Sequence, residues 1–457
     1  MIRILGVMGA AALVSTAGAP HTRSLPTIGA QQPATLDVAA LLTAARGAPK
    51  LICSLASQSV RGNNWGGGVD APVTPLGLTD DSDNRSRTDE LPSTDIARLM
   101  TALGSDDPCV QELSIRLIGN QHSAIVAPDL LSRLASSDAP VRALAAFGLG
   151  LVHASSAENS LIGSLRDASP AVRANSAWAL GRLESGKALS ALVPLFRDDV
   201  PTVRRAAVIA VGRMDSTSAL GELTRTLQHD PSAPVRRAAA WALGQMQANT
   251  AGAALASAVS NDADAGVREM SAWALGETHN DDSSVAIPAL ETALRKDSDA
   301  SVRETAAWAL GQGRSDAATD ALASATESDQ STDVRGTAAW ALGHIARGDA
   351  RAVAGLTHLL KDPDDDARLR AAWALGQIGD SAAMQPVRQA LASEKNPDVR
   401  RALIRAYVKS GGDSSQLMAG LLNSGDAQVR EAAVRSLAGA RAFNPWPWPW
   451  PRPRPWP

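Results

Sequence analysis

One short string constrains this chain more than any other feature. Ala-Ala-Trp-Ala-Leu-Gly ends at Gly244, Gly311, Gly343 and Gly376, and its variant Ser-Ala-Trp-Ala-Leu-Gly surrounds Trp178 and Trp273. A valine-arginine pair precedes it at a fixed distance. Counting the valine position from Val110, through Val141, Val172, Val203, Val235, Val267, Val302, Val334, Ala367 and Val399 to Val429, the steps are 31, 31, 31, 32, 32, 35, 32, 33, 32 and 30 residues. Self-similarity at this period specifies a solenoid. A solenoid grows in one dimension, each unit touching its neighbours, and presents a long surface instead of one enclosed pocket. The fold class expected is therefore all-α, an α-solenoid of about eleven two-helix units.

Composition fits thin, closely packed helices. The apolar fraction of 45% is mostly Ala and Leu, and Phe and Tyr together number four. The net charge of −3 gives no case for nucleic acid or an anionic membrane as a chain-wide partner.

Four segments are expected. Residues 1–19 read as a secretory signal: Arg3 supplies the charge, Ile4 to Val14 the apolar stretch, Ser15 to Ala19 the small residues. The expected location is therefore exported, periplasmic or secreted. Residues 20–94 are rich in Ser, Thr, Asp, Gly and Pro, with enough apolar positions between Asp37 and Ser57 for one or two short helices, interrupted at Pro49. Residues 95–443 form the solenoid. Residues 444–457 are a Trp/Pro tail without a fold of their own. Cys53 and Cys109 are the only cysteines; in an exported chain they suit a disulfide, and otherwise two partly buried thiols.

Each unit's second helix opens on a capping signal three residues before the valine position: Asp107, Asp138, Ser169, Val200, Ser232, Asp264, Asp299, Ser331, Asp364, Asn396 and Asp426. All but Val200 can accept an orphan amide of the first turn. Pro108, Pro170, Pro201 and Pro397 follow at the first helical position, where a missing N–H costs nothing. The motif's glycine either closes the helix or admits close approach of the next one. First helices read as the Leu-rich runs Ala188 to Phe196, Ala219 to Leu227 and Ala352 to Leu360.

The pattern Asp-Pro-x-Val-Arg-x-x-Ala-Ala-x-Ala-Leu-Gly resembles the HEAT-like repeat of the bilin-lyase type over roughly residues 95–440. The resemblance is specific for fold and not for function. It implies that the repeat arginines, Arg142, Arg173, Arg204, Arg236, Arg268, Arg303, Arg335, Arg368, Arg400 and Arg430, form a structural ladder, with Asp198, Asp199, Asp230, Asp297 and Asp362 as candidate partners. Arg405 and Arg435 stand at the tryptophan position of the last two units, as expected of atypical end repeats.

At about 100° per residue, the valine, the alanines and the leucine of a second helix fall on one arc, and the tryptophan lies roughly 140–150° from its centre. Trp178, Trp241, Trp273, Trp308, Trp340 and Trp373 are therefore expected on the open face, with Phe147 and Ile209 at the same position in two earlier units. The resemblance places second helices on the concave side. A binding ladder follows, joined by polar residues just past the glycine: Arg182, Arg213, Gln245, Glu277, Gln312, His344 and Gln377. The rival reading has each ring lean onto a neighbouring unit and serve packing.

The tail carries four of the eleven tryptophans, plus Arg452 and Arg454, between alternating prolines that favour polyproline II. It reads as a membrane-surface contact, as a ligand docking into the tryptophan groove of the same or another copy, or as an end with no partner. No catalytic constellation is present in the sequence. The seven histidines are scattered and none is followed by Glu, unlike the paired His-Glu motifs of the HEAT-like deoxyhypusine hydroxylases. No nucleophile elbow or phosphate loop occurs. Asp364-Asp365-Asp366 reads as a capped turn, not a calcium site. No metal and no cofactor are expected. The function expected is a non-enzymatic scaffold binding a protein or extended peptide in a concave groove. The alternatives are a lyase-like enzyme or subunit acting on a groove-bound ligand, and an envelope structural protein held to the membrane by its tail.

Overall fold

A computed structural model describes residues 36–59, 74, 90–278, 283–313, 316–345, 348–412 and scattered positions between 422 and 434. The expectations placed on residues 1–19 and 444–457, and most of the eleventh unit, lie outside the described residues. Ten helix pairs follow one another, from Ser93–Ala102 with Pro108–Gly119 to Met384–Ser393 with Pro397–Lys409. Among the described residues there is no strand.

The pairs stack in two layers. First helices contribute a Leu stripe, such as Leu223 and Leu227 in Leu220–His229. Second helices bury Val and Ala on several sides: Val235, Ala238, Ala239, Ala240, Ala242 and Leu243 are all inaccessible in Ala233–Gln245. A single apolar cluster runs unbroken from Val38 to Tyr407. One first helix departs from the pattern. Pro194 breaks the expected run from Ala188 to Phe196 into 3-10 turns around the four-residue helix Leu189–Leu192.

The motif glycine lies near the close of the second helix, one or two residues before its last residue, and also admits close approach of the next unit. A Cβ on Gly181 would stand 2.7 Å from Ala210 Cα of the next unit, and one on Gly244 would stand 2.9 Å from Ala274 Cα. Second helices therefore meet almost backbone to backbone at each boundary from Gly150 to Gly376, and the first helices do so at Gly355, whose Cβ would stand 3.3 Å from Ala323 Cα. A stack spaced more closely on one side bends toward that side, so the second-helix layer is the inner one. The chain turns out of these helices three residues after the glycine, at His153, Glu184, Asp215, Gln247 and Gly379, all with positive φ. Around Glu184 the closing bonds run from its own N–H to Gly181 O (3.2 Å) and from Ser185 N–H to Leu180 O (3.2 Å), the Schellman pattern.

One arginine per unit fastens it to the next. Arg268 donates through Nε and Nη2 to the carboxylate of Asp297 at 2.7 and 2.8 Å, while Nη1 donates to Asp262 O of its own unit at 3.0 Å. The same fork joins Arg142 to Asp167, Arg173 to Asp198, Arg204 to Asp230, Arg236 to Asp262, Arg303 to Asp329, Arg335 to Asp362 and Arg368 to Glu394. Asp198, Asp230, Asp297 and Asp362 thus receive the fork. Asp199 does not; it offers Arg204 only its backbone carbonyl, at 3.4 Å. Arg400 Nε is buried without a hydrogen-bond partner.

Each acceptor stands five residues before its unit's valine position and also accepts the N–H two residues on, as Asp297 Oδ1 does from Asp299 (2.9 Å). That corrects the capping expectation. Asp107, Asp264, Asp299, Asp364 and Asn396 do cap their helices, but Asp138, Ser169 and Ser232 make no side-chain cap bond.

The N-terminal end is closed by two further helices, Val38–Ala45 and Lys50–Ser59. Cys53 and Cys109 form a disulfide, with Cα atoms 5.7 Å apart. They bury with Ala45, Val110 and Leu113 in a second small cluster. Gly47 N–H donates to Asp107 Oδ2 at 2.7 Å, the first cause that holds the Asp107 carboxyl below its ordinary range.

Candidate functional site

The inner face is built from three positions of each second helix, four residues apart and so on one side. In Ala233–Gln245 they are Arg237, Trp241 and Gln245. The tryptophans are not where the helical-wheel argument puts them. Trp340 is 1% exposed, Trp178 and Trp241 are 5%, Trp308 and Trp373 are 9%, and Trp273 is half-buried. Phe147 and Ile209 are buried too. The wheel assumed one apolar stripe facing one neighbour. Here each second helix has a copy of itself on both flanks and a first helix behind, so only a narrow strip meets solvent.

Each ring lies across the glycine of the preceding unit. A Cβ added at Gly150, Gly244, Gly276 or Gly343 would come within 2.5–2.8 Å of Cζ3 of Trp178, Trp273, Trp308 or Trp373. The motif's last letter in one unit thus makes room for the next unit's tryptophan. Ring contacts continue the row: Phe147 to Trp178 at 5.1 Å, and His344 between Trp340 (4.4 Å) and Trp373 (5.5 Å).

The accessible chemistry lies on either side of the tryptophan row. Past the glycine, Gln245, Gln312, His344 and Gln377 are exposed, and Arg182, Arg213 and Glu277 half-exposed. Arg182 stacks on Trp178 at 5.1 Å and meets His153 Nε2 at 2.9 Å. Two residues after the valine stand Arg205, Arg237, Glu269 and Glu304, all half-buried, on four consecutive second helices. Burial, then the like charge of Arg237, push Arg205 down to about 10. Burial raises Glu269 above the ordinary carboxylate range; Arg237 opposes this, and Asp299 and Glu304 add to it. Burial likewise raises Glu304, against the hydroxyl of Thr337, which donates to Glu304 Oε1 at 3.1 Å. Arg370 Nη1 donates to Thr337 Oγ1 at 3.3 Å. This second row escaped the sequence reading because its residue type changes from unit to unit, and only the register identifies it.

Asp364 caps its helix, and Asp365 pairs with Arg368 and Asn396. Among the described residues no group of three or more His, Cys, Asp or Glu is placed to hold a metal, and no helix is long and apolar enough to cross a membrane.

The sequence profile of HEAT repeats matches residues 127–211, 198–276, 287–368 and 353–438, more than half of the chain. The chain belongs to the HEAT-repeat family. A search among curated proteins found no match. Among solved structures, an engineered protein aligns over 78% of this chain and 100% of its own, at 20% identity and TM-score 0.44. A chain of the CpcE–CpcF complex of phycocyanin lyase from Nostoc aligns over 51% of this HEAT-repeat chain and 92% of its own, at 22% and 0.33. A chain from a structure of Kap95p with RanGDP aligns over 88% and 57%, at 15% and 0.49.

Proposed function

We propose that this HEAT-repeat protein is a non-enzymatic scaffold that holds a protein or an extended peptide along its inner face. The observation that carries the reading is the row Arg182, Arg213, Gln245, Glu277, Gln312, His344 and Gln377. One polar, accessible side chain per unit stands over a wall otherwise closed by buried tryptophan. Such a row offers hydrogen bonds at a regular spacing, which suits a polypeptide laid along the stack. Export through residues 1–19 belongs to this reading; the Cys53–Cys109 disulfide supports it, since disulfides persist in oxidising compartments. The tail, residues 444–457, enters as a second occupant of the groove or as a contact to a membrane surface.

Photo-crosslinking tests the scaffold directly. A photoreactive side chain at Gln245 or Gln312 is expected to give discrete polypeptide adducts in extracts of the native cell, and one at Arg225, exposed on an outer helix, is not. Equal adducts from both faces, or none from the inner one, overturn the reading. Deleting residues 444–457 and measuring tryptophan emission, oligomer size and liposome co-sedimentation decides the tail. No change in any of them removes it from the account.

A further inference from the structure

The inner row at the N-terminal end of the second helices has an order of signs that stacking does not require. Going along the solenoid it reads Arg205, Arg237, Glu269, Glu304. Like charges on adjacent positions repel, whereas alternation would let every neighbour pair. Elsewhere among the described residues eight arginines pair with an acid of the next unit, from Arg142–Asp167 to Arg368–Glu394. The inner row departs from that rule within the same helices. Arg237 lies across Gly266 of the next unit, its Cδ 3.5 Å from where a Cβ would sit, and its Nε is buried without a hydrogen bond. Arg237 is half-buried, and its charge acts on Arg205 in the preceding unit and on Glu269 in the next. Glu304 faces Glu269 on one side and reaches Thr337 on the other. Two like-signed blocks, each spanning two helices, meet in the middle of the inner face. Arg182 and Arg213 widen the basic block, and Glu277 the acidic one, on the far side of the tryptophans.

We infer that the inner face selects an extended polypeptide with a block of acidic residues next to a block of basic ones, the acidic block on Arg205 and Arg237 and the basic block on Glu269 and Glu304. The inference rests on the scaffold reading and specifies its partner. A uniform polyanion laid across all four helices does not fit, because half of it would face the acidic block. Four second helices at about 8–10 Å spacing span roughly 25–30 Å, the length of about eight or nine extended residues. A partner segment of that length meets both blocks at once, and the sign boundary fixes its register.

The test uses the full chain and fluorescent twelve-residue peptides of one composition. One has four Glu, a Gly/Ser spacer and four Lys. The other alternates Glu and Lys. By fluorescence anisotropy the block peptide is expected to bind at least ten-fold more tightly, with the preference falling at high salt. Arg205→Glu with Arg237→Glu is expected to abolish the preference. Adding Glu269→Arg and Glu304→Arg is expected to restore it, because the peptide then lies the other way round. That recovery separates lost recognition from lost folding. Equal binding of the two peptides overturns the inference and leaves the scaffold reading standing. Failure of the four-fold variant to recover while its melting temperature is unchanged, no binding of either peptide, or tighter binding of a single-stranded oligonucleotide also overturns it.

Discussion

At the scale of single residues, the motif's glycine is understood through the residue that faces it one unit later. Gly244 sits under Trp273 and Ala274, and a methyl there would meet Cζ3 at 2.7 Å and a backbone Cα at 2.9 Å. Gly376 faces the unit where Arg405 replaces the tryptophan, and its Cβ would find Ala406 Cα at 3.4 Å. Gly244→Ala is therefore expected to destabilise by about 1–3 kcal/mol through overpacking. Gly376→Ala is expected to be neutral or to gain up to about 1 kcal/mol from helix propensity. Chemical denaturation of the two variants checks the contrast, and equal losses would show that the next-unit ring is not what the glycine serves. The left-handed helix ends give a prediction of opposite sign. Gln247 holds φ 45° with a side chain that disfavours it. Gln247→Gly is expected to stabilise by about 0.5–1 kcal/mol, less than the full left-handed penalty because glycine also frees the unfolded chain. None of this is legible from a lone glycine: the sequence leaves open whether it caps a helix or admits a neighbour, and only the distances across the unit boundary separate the two.

At the scale of the helix pair, the tryptophan and the arginine fork do related work from opposite ends of the second helix. Both act across a unit boundary, the ring reaching back to the preceding unit and the fork reaching forward. Trp340→Ala is expected to cost about 3–5 kcal/mol, in the range of buried aromatic truncations. A loss under about 1 kcal/mol by calorimetry would return the ring to the open face. Asp297→Ala removes two charge-assisted bonds from Arg268 and one from Asp299 N–H, and about 2–3 kcal/mol is expected. The helix pairs and their period are readable because Ala, Leu and Val recur at fixed places in every unit. The ladder's arginine is readable for the same reason. Its acceptor is recognisable only in retrospect, as an acid five residues before the valine position, because Ser105 and Ser136 stand there in the first two units and Glu394 in a late one. The fate of the tryptophan was hidden by a different cause. A helical wheel counts one buried arc, and a helix between two copies of itself has more than one.

At the scale of the whole molecule, two sets of carboxylates respond to pH with opposite sign. In the ladder, Arg142 first of all holds Asp167 below its ordinary range. At Asp198, Asp262, Asp297, Asp362 and Glu394 burial pushes upward, and the arginine fork with the adjoining backbone N–H outweighs it. A depressed group contributes stability that is complete above its unfolded value, here 3.8 for Asp and 4.5 for Glu, and loses it as pH falls through the folded value. Since these six groups sit at six different unit boundaries and stability in a stack sums over boundaries, acid is expected to loosen the stack at those boundaries together below about pH 4. The inner face behaves in the reverse way. Glu269 and Glu304 are raised by burial, so their contribution is complete below 4.5 and is lost as pH rises through the folded values. Above those folded values the stack carries two ionised carboxylates that burial disfavours, a stability cost of the kind accepted at functional surfaces. Glu269→Gln with Glu304→Gln is expected to raise the melting temperature by a few degrees at pH 7 and to leave it nearly unchanged at pH 4. Melting curves at the two pH values decide it, and an equal shift at both would mean that the charge of these residues is not what destabilises the inner face.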